Sequence, residues 1–314
     1  MWISTRYRFC SRVIPISLIW AVLNPINAVG SYTILEIPFH ARSLSMAGAG
    51  TADPGGRDAS AFNPALIGVK GENTQHLFLS LLSYPGEINT GAIEWQTTWR
   101  GIPTALSLRH VSYGDFDRLD DSGIKTGTFN AGDSWVSAAA SYPLGSILAF
   151  GVSTGLLVSQ VDNVSATLGL LTAGMAINVP SYNLHLGLAL NNLGFIISNY
   201  TDHNELVPKS ITAGVTKKLK YLPLELSIDG SWWNSEDRSV IRIGGEFSLP
   251  HDLYFRWGTS TYKLEQTTQN LWRDIATGTA FGVGLAIDKL IVDIGFNYGG
   301  VEGIVMGIGI SWRF

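Results

Sequence analysis

The residues of this chain that could do covalent chemistry are few, and the clearest candidate is a G-x-S-x-G motif over residues 151–155. In acyl-transfer enzymes this motif holds a nucleophilic serine on a sharp turn between a strand and a helix. Here Ser153 lies inside a segment in which apolar residues alternate with small or polar ones, and that alternation predicts an uninterrupted β-strand. The sequence therefore predicts no catalytic residue, and the protein is not expected to be an enzyme.

Metal ligation has no stronger support in the sequence. The six histidines show none of the spacings that bind metals, such as H-E-x-x-H. Calcium favours oxygen clusters, and four aspartates lie close together, but their spacing is not that of an EF-hand. These aspartates are Asp115, Asp117, Asp120 and Asp121. We expect neither a metal nor a cofactor.

Eight charged side chains occupy alternate positions of predicted strands, on the face opposite to the apolar residues. A basic side chain that faces hydrocarbon at the middle of a bilayer costs about 2–4 kcal/mol, so in a membrane barrel these charges should face the lumen. There they would either form a paired network that fills the lumen or line a path for a ligand or ion. The eight residues are Glu94, Arg109, Glu225, Asp229, Arg242, Glu246, Arg256 and Asp293.

The composition restricts which elements can position these charges. Of the 314 residues, 46% are hydrophobic and 35 are glycine, whereas only 15% are charged; soluble domains usually carry about 25% charged residues. This mixture excludes a disordered chain, and the net charge of −4 gives no basic footprint for nucleic acid. The body of the chain lacks a run of about 18 apolar residues, the minimum for a membrane-spanning helix. A soluble β-protein and a membrane β-barrel both remain.

Residues 1–30 are typical of an export signal. Arg6, Arg8 and Arg12 precede the apolar stretch 13–22, and small residues suited to cleavage follow at 26–30. The alternative is an N-terminal anchor, but the apolar stretch is short. Cleavage would also remove Cys10, the only cysteine, so we expect a thiol-free protein outside the cytoplasm.

The chain from 75 to 314 predicts about fourteen antiparallel strands with apolar residues at alternate positions. The three long connections, 114–133, 194–208 and 263–279, all follow odd-numbered strands, whereas the even-numbered connections are short. An up-and-down barrel would place every long connection on one rim, which is the arrangement of outer-membrane barrels. A soluble secreted β-protein is the alternative, although a Greek-key sandwich would not produce this asymmetry.

Aromatic residues support the membrane interpretation. The last predicted strand ends on Trp312 and Phe314, as does the C-terminal signal by which the barrel assembly machinery recognises outer-membrane barrels. Tryptophans recur near predicted strand ends, where interfacial girdles place aromatic side chains; they are Trp99, Trp135, Trp232, Trp233 and Trp312. Outer-membrane lipid and the assembly machinery are therefore expected partners.

Residues 31–74 lack the alternation of the rest of the chain. A stretch rich in small residues and glycine at 41–50 precedes Asn63 and Pro64, and a residue before proline favours an extended turn. From the residues alone, this segment could be a mobile arm, a periplasmic patch or a plug inserted into the barrel.

A resemblance favours the plug. Residues 41–66, which read ARSLSMAGAGTADPGGRDASAFNPAL, resemble the N-terminal region of the FadL-like outer-membrane superfamily. The preceding YTILEIP at 32–38 makes the chain more similar to one branch, the PorV/PorQ family of the type IX secretion system. The resemblance implies an all-β, transmembrane antiparallel β-barrel of about fourteen strands over 75–314, with a plug at 31–74. The residues that would carry the plug motif are Gly48, Gly50, Asn63, Pro64 and Ala65.

The functional prediction follows from that resemblance. It implies a non-enzymatic component of a type IX-like system for protein secretion and cell-surface attachment in the bacterial outer membrane. Secretion-system subunits and secreted cargo would then be partners. The alternative is a FadL-like transporter of hydrophobic small molecules, which requires an apolar path through the lumen. The eight predicted lumen charges count against that alternative.

Overall fold

The computed structural model describes residues 32–56, 59–69, 75–200, 207–234, 238–261, 276–300 and 303–314. The predicted signal peptide lies outside the described residues. No helix in the described part of the chain is long and apolar enough to cross a membrane.

The described residues contain fifteen strands, and fourteen of them form one closed antiparallel barrel, in which neighbours in sequence pair with each other and the last strand pairs with the first. The strands are β1 His76–Ser83, β2 Asn89–Trp99, β3 Ile102–Leu119, β4 Lys125–Leu144, β5 Leu148–Val161, β6 Val164–Val179, β7 Leu184–Asn191, β8 Phe195–Ser198, β9 Ser210–Lys218, β10 Leu224–Trp233, β11 Arg238–Leu249, β12 Leu253–Ser260, β13 Thr279–Ile287, β14 Leu290–Tyr298 and β15 Ile304–Arg313. The short β8 pairs only with β6, beyond the end of β7. The prediction of a barrel of about fourteen strands is confirmed.

The two rims differ as predicted. Tight connections such as 100–101 and 288–289 lie on one rim, here called the short-turn rim, together with the C-terminus. The strands that flank the connections 192–209 and 261–278 meet them at the opposite, long-loop rim. In outer-membrane barrels the short turns face the periplasm and the long loops face the cell exterior. Most of the predicted loop 263–279 lies outside the described residues.

One predicted long loop is wrong. Residues 114–133 mostly continue β3 and β4 as a two-stranded ribbon, which pairs from Asp115 with Asn130 to Leu119 with Lys125. A register shift between Ser112 and Asp115 breaks the alternation, because a bulge inserts a residue into one strand. The bulge therefore hid the strand from a period-2 analysis. Phe116 and Phe129 stack across the ribbon with ring centroids 5.4 Å apart.

The barrel carries its apolar residues on the outside. On β15, Ile304, Ile308 and Ile310 are exposed, whereas Gly309 and Ser311 are buried on the inner face. The other strands repeat this arrangement, and the result is a continuous apolar belt. Water-soluble proteins rarely expose a patch of that size, and a lipid-facing band of this kind is the hallmark of membrane barrels.

The N-terminal residues lie inside the barrel as a plug. The plug contains a 3₁₀ turn at Thr33–Leu35 and three short helices, α1 Ala41–Ser45, α2 Ala59–Phe62 and α3 Leu66–Val69; a further 3₁₀ turn, Pro180–Tyr182, connects β6 to β7. Leu35 packs near Ile88 at the long-loop rim, and Gly68 lies against Ser141 near the short-turn rim. The plug therefore crosses the lumen from one rim to the other before β1 begins.

Glycines on the inner wall make room for this plug. A methyl carbon placed on Gly151 would lie 2.2 Å from the backbone nitrogen of Ala65, and one on Gly295 would lie 2.3 Å from the carbonyl oxygen of Ala41. Such distances are far below van der Waals contact, so only glycine permits the plug backbone to lie this close to the wall. The plug backbone comes similarly close to Gly187 and Gly258, and plug side chains come close to Gly174 and Gly282. Part of the high glycine content thus serves the contact between plug and barrel.

Candidate functional site

Asn63 ties the plug to the barrel. Its side-chain amide nitrogen donates to the carbonyl oxygen of Thr51, at 2.8 Å, and to that of Met175 on β6, at 3.2 Å. Its side-chain oxygen accepts a hydrogen bond from the backbone of Ala65 at 3.2 Å. Asn63 is fully buried, and Pro64 directs the chain past Gly174. The Asn-Pro-Ala motif therefore fastens two plug segments and one strand together.

Gly48 and Gly50 belong to a backbone strap, residues 47–51, that lies against the inner wall of the barrel from β12 to β7. Gly48 has φ +78° and Gly50 has φ +153°, conformations that side chains disfavour. One carboxylate oxygen of Asp229 on β10 accepts hydrogen bonds from the backbone nitrogens of Gly50 and Thr51, each at 2.8 Å. The strap is thus held against the barrel wall by a buried carboxylate.

A cluster of charges near the short-turn rim joins α1 to the barrel, and we call it the ionic latch. Arg42 pairs with Asp53 at 2.5 Å and with Glu246 at 2.9 Å, and Arg256 pairs with Glu246 at 2.5 Å and with Asp293 at 2.7 Å. Burial disfavours the charge on Arg42, but the carboxylates of Asp53 and Glu246 outweigh burial and hold the pKa of its guanidinium above the ordinary value. The latch therefore spans plug and wall with opposite charges in contact.

A second charged pair fastens α2. Glu94 on β2 accepts a hydrogen bond from the hydroxyl of Ser60, and Arg109 on β3 lies 3.7 Å from the same carboxylate. The Arg109 guanidinium also lies over the rings of Phe39 and Trp135, 5.2 Å and 5.1 Å from their centroids. Cation–π contacts of this kind are worth most where water is excluded.

The structure brings the eight predicted charges together in separate groups. Glu246, Arg256 and Asp293 belong to the ionic latch, and Glu94 lies beside Arg109. The remaining three are Asp229, which binds the strap from β10, Arg242, which donates to the Ser231 hydroxyl at 2.9 Å, and Glu225, which is half-buried opposite Glu246 on the next strand. Sequence reasoning missed two latch members, Arg42 and Asp53. The sequence did contain a signal for both, because they are charged residues inside a stretch of small residues.

A cavity of about 710 Å³ lies between the strap and the long-loop rim. The strap forms its floor, and the plug residues Ile34, Leu35 and Ile37 form an apolar side. Trp135 and Trp233 line the opposite walls. Both tryptophans are buried, so their predicted place in an interfacial girdle is wrong. Proximity to a strand end does not determine which face a side chain occupies, because the face alternates at every residue.

The cavity also has a polar part. Arg109, Asp229 and Arg242 reach it from the barrel wall, and Arg238 pairs with Glu36 of the plug. The guanidinium groups of Arg238 and Arg242 both lie over the Trp233 ring, 4.9 Å and 5.2 Å from its centroid. A ligand in the cavity would therefore meet apolar surface together with arginine side chains that are already engaged.

The other candidate residues lie away from this cavity. Ser153 lies within β5, not at a strand-to-helix turn, and its side chain is buried in the lumen. Asp117 lies on the exposed ribbon and pairs with Lys125. The described residues hold no group of three or more histidine, cysteine, aspartate or glutamate side chains arranged to bind a metal. Trp312 and Phe314 stack at 4.8 Å on the lipid-facing side of the short-turn rim.

Comparison with known proteins agrees with the architecture. No family model and no curated protein sequence matches the chain, so the similarity to the PorV/PorQ family has no further support. Among solved structures, the toluene transporter TodX of Pseudomonas putida is similar at a TM-score of 0.63 and 14% identity, over 93% of this chain and 99% of that one. The CymD monoaromatic hydrocarbon channel is similar at a TM-score of 0.63 and 13% identity, over 91% of this chain and 99% of that one. A FadL homologue of Pseudomonas aeruginosa is similar at a TM-score of 0.54 and 11% identity, over 88% of this chain and 98% of that one.

These similarities are too distant in sequence to carry a substrate, and they show the fold alone, a closed antiparallel barrel. The outward apolar belt independently indicates that the barrel lies in a membrane.

Proposed function

We propose that this chain is an outer-membrane channel for small hydrophobic molecules. The observation that carries the proposal is the cavity of about 710 Å³ between plug and barrel on the long-loop side, with Ile34, Leu35 and Ile37 on one side and tryptophans on the other. Moving an apolar ligand from water into such a space gains about 25 cal/mol for each Å² of apolar surface buried. The cavity would thus collect hydrophobic molecules that arrive from outside the cell.

The charges of the lumen are compatible with this role. The sequence analysis counted them against a hydrophobic path, but the latch charges pair with one another below the strap, and Asp229 binds the strap backbone. The similarity to TodX and CymD, which are described as a toluene transporter and a monoaromatic hydrocarbon channel, also favours hydrocarbons over proteins as cargo.

The test is to fill the cavity. Val305 lines the cavity from β15, and Ile304, the adjacent residue, faces lipid. We expect Val305→Trp to reduce uptake of labelled toluene by cells that lack their own hydrocarbon channel, and Ile304→Trp to leave uptake unchanged. Toluene should also alter the fluorescence of the purified protein, since Trp135 and Trp233 line the cavity. Equal uptake by cells with and without the protein would refute the proposal.

The secretion function inferred from the PorV/PorQ resemblance remains a separate prediction. It requires secretion-system subunits and cargo as partners, and deletion of the gene in the native host tests it. Normal arrival of surface proteins in the deletion strain would exclude that role. We further propose that the protein acts without catalysis and that its constant partners are outer-membrane lipid and, during insertion, the assembly machinery.

A further inference from the structure

Arg109 on β3 differs in its hydrogen bonding from the other arginines that the structure describes inside the barrel. It is buried and lines the cavity of about 710 Å³ above the strap. A guanidinium carries five N–H donors in a planar fork, yet the Nη2 atom of Arg109 has no hydrogen-bond partner in the described part of the chain. The other arginines each donate at least one hydrogen bond to a side chain; they are Arg42, Arg238, Arg242 and Arg256.

The carboxylate beside Arg109 balances its charge without accepting a hydrogen bond from it. An oxygen of Glu94 lies 3.7 Å from Nη2 of Arg109, which is too far for a hydrogen bond. Glu94 instead accepts hydrogen bonds from the hydroxyl of Ser60 and from the side-chain amide of Gln96, the latter at 2.7 Å. The donors of Arg109 are therefore not used by the one carboxylate with which it pairs.

Two aromatic rings also contact Arg109. Its guanidinium carbon lies 5.2 Å from the ring centroid of Phe39 and 5.1 Å from that of Trp135. A ring face attracts the cation, but it offers no oxygen to an N–H group. The indole nitrogen of Trp135 is itself buried without a hydrogen-bond partner among the described residues. Burying a donor without an acceptor is unfavourable, so this side of the cavity favours an occupant that brings an oxygen.

The charges around the cavity indicate that this oxygen is neutral. Each arginine that lines the cavity already has a carboxylate beside it. The three pairs are Arg109 with Glu94, Arg238 with Glu36, and Arg242 with Asp229, which face each other across neighbouring strands. A carboxylate ligand at Arg109 would add a second negative charge next to Glu94, and like charges repel strongly where water is excluded. A hydroxyl or carbonyl oxygen accepts the same hydrogen bonds without that repulsion.

We propose that the cavity selects neutral apolar molecules that carry an oxygen acceptor, such as phenols and ketones, and that Arg109 donates to that oxygen. The apolar part of such a molecule contacts the side formed by Ile34, Leu35 and Ile37. A pure hydrocarbon fills the same space but leaves the donors of Arg109 without an acceptor. This inference rests on the proposed channel function and names the substrate class of its cavity.

Three ligands with the same methylphenyl group test the selection: toluene, the neutral phenol p-cresol and the anion 4-methylbenzoate. Tryptophan fluorescence and calorimetry give Kd for the purified protein, and ratios of Kd are compared between variants so that partition of the ligands into detergent cancels. The double variant Arg109→Met/Glu94→Gln removes the cation and the carboxylate together, so that neither charge is left unpaired. We expect its preference for p-cresol over toluene to fall by about tenfold or more, as for a lost hydrogen bond to a charged group.

Glu94 tests the neutrality of the selected ligand. Glu94→Gln removes the repelling charge and keeps an acceptor for Ser60, so it should bind 4-methylbenzoate about tenfold more tightly than the parent does. Arg118→Met is the matched control. Arg118 also pairs with a carboxylate, Asp162, and lies over the ring of Phe129, but it is exposed and does not line the cavity. It should keep the ratios of the parent. Heat-modifiable gel migration confirms that each variant is a folded barrel.

The outcomes separate the site from the channel. An unchanged preference for p-cresol in the double variant would overturn the inference and show that water alone serves the donors of Arg109. Equal binding of 4-methylbenzoate by Glu94→Gln and the parent would overturn the selection for neutral ligands. If the preference depends on Arg109 while cells take up neither toluene nor p-cresol, the channel proposal fails and the site stands. If cells take up toluene and the preference is absent, the channel stands and this inference fails.

Discussion

The carboxylate of Asp229 on β10 binds the backbone nitrogen of Thr51 at 2.8 Å, and the same oxygen also binds that of Gly50. A wall residue thereby holds a plug segment that lies far away in sequence. The bond is buried and involves a charged acceptor, and hydrogen bonds to charged groups contribute about 1.5–3 kcal/mol. The position of the cavity floor therefore depends on one side chain.

Replacement of Asp229 tests that dependence. Asp229→Leu removes the acceptor and leaves two buried backbone donors unpaired, so we expect it to destabilise the plugged state by about 2–4 kcal/mol. Asp229→Asn keeps one neutral acceptor and should lose less. The midpoint of thermal unfolding, read from heat-modifiable gel migration, measures the change. Asp117→Asn on the exposed ribbon is the control and should be neutral; an equal loss there would contradict the explanation.

Asn63 should contribute as much as Asp229 to the stability of the plug inside the barrel. Asn63→Ala removes three hydrogen bonds and leaves the carbonyl oxygens of Thr51 and Met175 without this donor. We expect a loss of about 1–3 kcal/mol and faster proteolysis of the plug in native membranes. Asn89, whose amide bonds to Glu87 at the exposed rim, offers the comparison. If Asn89→Ala and Asn63→Ala are cleaved equally fast, the fastening role assigned to Asn63 is wrong.

The close contact between the plug and glycines of the inner wall predicts that substitution by alanine destabilises the protein at some glycines and not at others. On Gly151 a methyl carbon would lie 2.2 Å from the Ala65 nitrogen, whereas on Gly230 it would meet nothing within 4 Å. Gly151→Ala should therefore destabilise the protein by about 1–3 kcal/mol through overpacking, and ion conductance should rise as the plug is displaced. Gly230→Ala should match the parent in both measurements. A silent Gly151→Ala would show that the plug does not lie against β5.

A single substitution in the ionic latch should destabilise the protein more than the loss of an exposed ion pair does. Arg42→Met leaves Asp53 buried without its cation and Glu246 with Arg256 alone, and a broken buried pair costs about 3–5 kcal/mol. We expect a lower unfolding temperature and a more conductive barrel. Lys125→Met breaks the exposed pair with Asp117, which is worth about 0–1 kcal/mol, and should change neither. Similar effects of both substitutions would argue against a latch.

The sequence by itself predicted the strands of the barrel and the face on which each side chain lies. Alternation of apolar and small residues is a local property, since successive side chains of a strand point to opposite faces. It therefore predicted the strand number, the two rims and the inward direction of charges such as Asp293 and Arg256. It failed where the local rule is interrupted, as at the bulge between Ser112 and Asp115.

Only the tertiary structure decided how the plug meets the wall. Whether Asn63 reaches Thr51 and Met175, whether Arg42 finds Glu246, and which space Trp135 lines all depend on the path of the plug through the lumen. These contacts join residues far apart in sequence, and they depend on the register of each strand relative to its neighbours. A period of two assigns a side chain to a face but not to a partner. The cavity is a property of that packing, so no local pattern in the sequence contains it.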